Sequence, residues 1–188
     1  MISTRVGYAG GTSLNPTYYK LGDHTETVRI EYDSAQISYG ELLEVFWNSH
    51  NPIYEASSRQ YMSIIFYHDD EQRRLAIETR EDQELEVGRP IFTEIVPAGS
   101  FYLAEDYHQK HFLRHVPEIL KELAAIYPDI DDFVASTAVA RINGYLAGYG
   151  LLDDLKEEAA SYGLTLEGQA LLLEIATYRL RSPSCSLR

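Results

Sequence analysis

Cysteine is almost absent from this chain: a single residue, Cys185, in 188. A lone thiol excludes an intramolecular disulfide framework and any multi-cysteine metal site, and a cytoplasmic setting is the default expectation. Basic charge is scarce too. Against 29 Asp and Glu stand 16 Lys and Arg, a formal net charge of −13. Such a surface repels phosphate backbones and anionic lipid, which argues against nucleic acid and membrane as partners. No apolar run approaches the length of a bilayer span, and the first residues lack the apolar core of a signal peptide. Low-complexity tracts and internal repeats are missing as well.

What remains is the composition of an ordinary globular protein, 45% hydrophobic and 24% charged. The length suits one domain with a full core, or one domain with a small appendage. Its 15 tyrosines exceed what packing needs. A tyrosine hydroxyl in apolar surroundings seeks a hydrogen-bond partner, so the excess hints at a tyrosine-lined pocket.

Residues 2–11 read as a short strand ending in a glycine turn. From Thr25 to Tyr32 the pattern alternates, with Glu26, Val28, Ile30 and Tyr32 on one face. Ser38 and Glu41 have the spacing of a capping box and open an amphipathic helix running to about His50. Tyr61–Tyr67 is apolar on both faces and reads as a central strand. A charged helix over 69–86 closes at Gly88, a strand follows over 90–96, and a helix over 105–125 is bent or interrupted at Pro117. Beyond Pro128 three helical segments follow, roughly 130–147, 152–162 and 166–181. Ala140, Gly144 and Gly148 form a small-residue stripe there, where another helix can approach closely. The expected class is α+β.

Glu26 stands out on physical grounds. On the apolar face of a strand its charged form is disfavoured, so its pKa is expected to rise, and it can then protonate an oxygen gaining negative charge. The alternative is a Glu at a strand end that reaches solvent. His108, His111 and His115 are spaced to share one helix stripe, but no independent fourth ligand is evident, and no metal or other cofactor is expected.

Several ordered motifs carry more. Tyr8-Ala9-Gly10-Gly11, Asn15-Pro16-Thr17-Tyr18, His24-Thr25-Glu26, Ile37-Ser38-Tyr39 through Phe46-Trp47, Gln60-Tyr61 and Ala104-Glu105-Asp106-Tyr107-His108-Gln109 lie within the first 115 or so residues. Together they resemble the A-type methionine sulfoxide reductases, the peptide-methionine (S)-S-oxide reductases. The resemblance implies an enzyme that reduces methionine-(S)-sulfoxide, free or in proteins, by thiol chemistry, with thioredoxin or another thiol as reductant. By position in the motifs it implies Glu26 as the acid and Tyr18 and Tyr61 as the hydroxyls that hold the departing oxygen. Each tyrosine also fits a half-buried ring with a wet hydroxyl.

Three features depart from the family. Its Gly-Cys-Phe-Trp segment, which carries the nucleophilic cysteine, has no counterpart. Residues 53–59 replace a longer connection that carries an aspartate. Met62 stands where an arginine is usual. Cys185, in a Ser-Pro-Ser-Cys-Ser tail, is either a resolving thiol or incidental.

The resemblance further implies a ferredoxin-like split βαβ sandwich without its first strand and helix, extended by an all-α C-terminal part. The expected boundaries are a reductase-like domain over 1–126, a helical extension over 127–182 and a tail over 183–188. Losing the first strand and helix would leave an unpaired edge and expose core, so the expectation is an impaired enzyme and a poorly soluble chain. A noncatalytic module for oxidised or thioether peptides, or an interaction protein working through the C-terminal helices, is the competing reading.

Overall fold

Strands and helices alternate through the first half of the chain, and helices alone fill the second, in a computed structural model that describes residues 2–181. Two compact units result. Among the described residues, one comprises Val6–Glu105; the other joins 2–5 with 106–181. The mixture of small sheets and helices is the α+β class expected.

The first unit takes in β1 (Ser3–Ala9) from Val6 on, and this strand lies between β2 (Thr25–Glu31) and β5 (Tyr102–Leu103). It runs antiparallel to β5, with Gly7 opposite Leu103 and Tyr8 opposite Tyr102. A second sheet pairs β3 (Ile64–Tyr67) in parallel with β4 (Glu94–Pro97). Parallel neighbours need a crossover, here α2 (Asp70–Val87). Leu43 and Trp47 of α1 (Tyr39–Asn48) bury with Ile65 and Ala76 to form the core of this layer.

Local chemistry sets the helix ends. Ser38 and Glu41 exchange the two capping-box hydrogen bonds at the start of α1. The Asp69 side chain accepts from the Gln72 amide at the start of α2, and Gly88, at φ 70°, ends it in a left-handed turn.

Two strand expectations change. The strand expected at 61–67 begins only at Ile64 and has β4 as its sole partner among the described residues, so it is not central. The preceding residues instead close a 3-10 turn, Arg59–Tyr61, through Tyr61 N to Ser58 O and Met62 N to Arg59 O. The strand at 90–96 starts at Glu94. Pro90 has no amide proton, and the Phe92 amide donates to Pro52 O rather than to the ladder.

The second unit consists of 3-10 turns at Asp106–His108, Leu113–His115 and Ala159–Tyr162, with helices α3 (Pro117–Ile126), α4 (Ile130–Ala135), α5 (Thr137–Leu146), α6 (Leu152–Glu158) and α7 (Leu166–Arg181). Leu113, Ile119, Leu123, Ile142, Leu155 and Leu172 are fully buried at its centre. Arg141 of α5 pairs with Glu158 of α6, which also accepts from the Tyr162 hydroxyl at 2.5 Å.

The helix expected over 105–125, bent or interrupted at Pro117, is helical only from Pro117, and 3-10 turns stand before it. Pro117 begins α3 at a position where its missing amide proton costs nothing, and Lys110, at φ 54°, breaks the chain upstream. Ser136 caps the Val139 amide and divides the expected 130–147 helix into α4 and α5. The small-residue stripe does not serve a close helix crossing throughout. A Cβ on Gly144 would meet nothing within 4 Å, and Gly148 lies beyond the end of α5.

Candidate functional site

The glycine turn after β1 opens a loop that returns to β2 at Thr25. Gly10 adopts φ 80°, and a Cβ there would press on the Phe66 ring, so glycine is required on both counts. Asp23 closes the loop from its far end. One carboxylate oxygen accepts from the Thr12 amide and hydroxyl, both at 2.8 Å; the other accepts from the Ser13 amide at 3.0 Å and hydroxyl at 2.8 Å. These bonds, those to Ser13 foremost, hold its carboxyl far below the usual range. His24 is fully buried. It accepts from the Gly11 amide on Nδ1 at 3.2 Å, which leaves Nε2–H to donate to Ser13 O at 2.8 Å.

Within this clamp, Thr17 and Lys20 pair through two backbone bonds and hold Tyr18 and Tyr19 at the tip. The Tyr18 amide donates to Glu105 Oε1 at 3.1 Å, and the hydroxyl of buried Tyr8 donates to Glu105 Oε2 at 2.6 Å. Glu105 therefore anchors the loop to the sheet.

The turn at Arg59–Tyr61 approaches from the other side. Thr25 Oγ1 donates to Arg59 O at 2.8 Å, and Gln60 Nε2 donates to Glu26 Oε1 at 2.7 Å. Tyr61 follows Gln60, and its phenol is held above its ordinary value. The neighbouring Tyr18 phenol contributes most, followed by desolvation, a hydrogen bond with Tyr18 and the Glu26 carboxylate. Tyr61 thus lies within interaction range of both Tyr18 and Glu26, some forty and thirty-five positions earlier in the chain. Two phenols, a carboxylate and an amide at one place can receive a polar oxygen and pass it a proton.

Burial differs from the expectation. Glu26 is exposed, as are Val28 at 58% and Ile30 at 39%. β2 is the edge of its sheet, and the protected residues are on the opposite face, where Thr25 is buried. Tyr61 is likewise exposed. Asp23, His24, Gln60 and Glu105 were not singled out from sequence. His24, Gln60 and Glu105 lay inside the recognised motifs, but nothing in the pattern assigned them a bond.

The histidine stripe loses its basis with the helix that was to carry it. His111 and His115 stack edge-on at 4.6 Å between centroids, and among the described residues no three His, Cys, Asp or Glu side chains gather as a metal site. Cys185 lies outside the described residues. No helix among the described residues is long and apolar enough to cross a membrane.

The chain matches the sequence profile described as peptide methionine sulfoxide reductase over residues 1–139. It is 43% identical over 167 residues to the peptide methionine sulfoxide reductase of Drosophila melanogaster, covering 88% of this chain and 67% of the relative. It is 48% identical over 123 residues to the peptide methionine sulfoxide reductase MsrA of Methanococcoides burtonii, covering 60% and 80%. With peptide methionine sulfoxide reductase A5 of Oryza sativa it shares 41% over 153 residues, covering 78% of this chain but 59% of that one. Among solved structures, reduced Mxr1 from Saccharomyces cerevisiae superposes with a TM-score of 0.56 at 28% identity, over 59% of this chain and 70% of the other.

Proposed function

Because the chain belongs to the peptide methionine sulfoxide reductase family, a family of oxidoreductases, we propose that Tyr18, Glu26 and Tyr61 form the oxygen-binding part of a site for methionine-(S)-sulfoxide, free or in proteins. The observation that supports it is the convergence of the three groups, expressed in the raised Tyr61 phenol. A phenol that resists ionisation remains a donor at neutral pH. Two such hydroxyls suit the negative end of a sulfoxide dipole, and Glu26 delivers the proton as the S–O bond breaks. In this reading the two sheets derive from the family's ferredoxin-like split βαβ plan.

The full reaction consumes two thiols: sulfoxide and two thiols give thioether, disulfide and water. Residues 2–181 contain no cysteine. The thiols proposed for these residues are Cys185, in a resolving role, and those of a reductant of the thioredoxin class. Turnover by the chain as it stands is expected to be impaired. A second reading rests on the same observation: an oxygen-binding cluster with no cysteine among its residues suits a module that binds oxidised peptides without reducing them.

Titration with the separated epimers of N-acetylmethionine sulfoxide, followed by NMR of 13C-labelled tyrosine, tests the site. Tyr18 and Tyr61 signals should move with the S epimer, and the double Tyr18→Phe, Tyr61→Phe variant should bind at least about tenfold more weakly. An equal response to both epimers, or none, would refute the assignment. Supplying dithiothreitol then separates the readings. Slow reduction supports an impaired enzyme, binding without any reduction supports the module, and reduction abolished by Cys185→Ser gives that thiol the attacking role.

A further inference from the structure

The chain has two methionines, Met1 and Met62. Met62 is partly exposed, and its Sδ lies 3.2 Å from Arg59 Nη1, which donates to it. The same nitrogen donates to Glu94 at 3.0 Å to Oε1 and 2.9 Å to Oε2, so the guanidinium is fixed by an ion pair. The backbone holds the other end of the arrangement. Met62 N donates to Arg59 O, and that oxygen also accepts from Thr25 Oγ1. The sulfur therefore rests against a guanidinium positioned by a partly exposed ion pair.

A thioether sulfur has two lone pairs, on opposite faces of the C–S–C plane, and oxidation at one or the other gives opposite sulfoxide epimers. Here the hydrogen bond from Arg59 engages one of those lone pairs. We propose that Met62 is a modification site, oxidised by small hydroperoxides to a single predominant sulfoxide epimer from the face opposite Arg59. The free lone pair attacks one peroxide oxygen, the S–O bond forms as the O–O bond breaks, and the departing oxygen takes up the proton of the transferred one. Sulfur loses two electrons, the hydroperoxide gains two, and water or an alcohol leaves.

The product differs from the thioether in a way its surroundings can register. The S–O bond, formed on the face away from Arg59, leaves the sulfur partly positive, so the Arg59 N–H that donated to it loses its acceptor and the guanidinium shifts toward Glu94. The turn it adjoins also carries Gln60, bonded to Glu26, and Tyr61. The oxidation state of Met62 is thereby coupled to the tyrosine–glutamate cluster. This holds whether or not the chain reduces any sulfoxide.

The test uses the full chain, hydrogen peroxide and tert-butyl hydroperoxide. Proteolytic peptides are weighed, and the Met62 epimers are separated against synthetic standards. One epimer should exceed the other by at least about threefold in the native chain, and the two should approach equality in urea and in Arg59→Gln. Equal epimers in the native chain would overturn the proposal. So would an excess that persists in urea, or a Met62 left intact by a peroxide dose that consumes N-acetylmethionine. The Tyr61 NMR signal should shift on oxidation of the native chain and stay still in Met62→Leu; a still signal in the native chain refutes the coupling.

Discussion

Replacing Lys110 by methionine should abolish a gain in stability that the native chain shows on passing from neutral to mildly alkaline pH. Lys110 is 5% exposed, and its ammonium donates to Thr4 O at 2.8 Å and Thr4 Oγ1 at 3.0 Å. Desolvation, with a smaller contribution from the like charge of Arg5, lowers its pKa from 10.5 to about 8. The folded chain then releases this proton near pH 8 while the unfolded chain keeps it to about 10.5. Between those values the unfolded state binds more protons, so stability rises with pH. The full difference is about 3 kcal/mol, of which about 2 kcal/mol falls between about pH 7 and about pH 9.5. That window stays below the region where half-buried Tyr39, pushed up to about 12, opposes the trend. Urea unfolding followed by far-ultraviolet circular dichroism, on native chain and Lys110→Met across the window, measures the effect as a difference of differences. A difference that stays flat with pH would show that the ammonium reaches water and would refute the reasoning.

Asp23→Asn should loosen the loop it clamps, raising amide exchange at Thr12 and Ser13. In the native chain the same protection should hold above the ordinary carboxylate range and fade as pH falls through the depressed value, since the folded state prefers the ionised form. Tyr18→Phe removes the main cause of the raised Tyr61 phenol, so Tyr61 should titrate closer to 10.0 when followed by NMR. Gly7→Ala would drive a methyl into the Tyr102 carbonyl and the Phe101 ring, and a loss of about 1–3 kcal/mol in denaturant unfolding is expected. Leu123→Ala, at a fully buried position, should cost about 2–5 kcal/mol.

The features legible in advance were those set by neighbouring residues. The capping box at Ser38, the left-handed cap at Gly88 and the three late helical segments depend on spacings of a few positions, which a linear pattern displays directly. Expectations failed where remote partners decided. Alternation at 25–32 correctly separated two faces of a strand. It could not say which face would be covered, and Val28 and Ile30 lie bare beside Glu26. The apolar run at 61–67 looked central, yet its first residues serve a turn whose Arg59 is held by Glu94, 35 positions away. Pro117 reads in the sequence as a bend or interruption within a helix, whereas it starts one, because the left-handed turn at Lys110 leaves no sign in the linear pattern.

The sequence by itself determined the family, through several motifs in order, and the local geometry of caps and turns. It also identified Tyr18, Glu26 and Tyr61 as candidates. Only the tertiary structure decided that Tyr61 comes within reach of Tyr18 and Glu26, that Glu105, Asp23 and His24 brace the loop carrying Tyr18, and that a methionine sulfur rests on a guanidinium beside them. The reason is physical: helix ends and turns are satisfied by bonds over three or four residues, whereas burial and the pairing of remote polar groups depend on which surfaces the folded chain brings together.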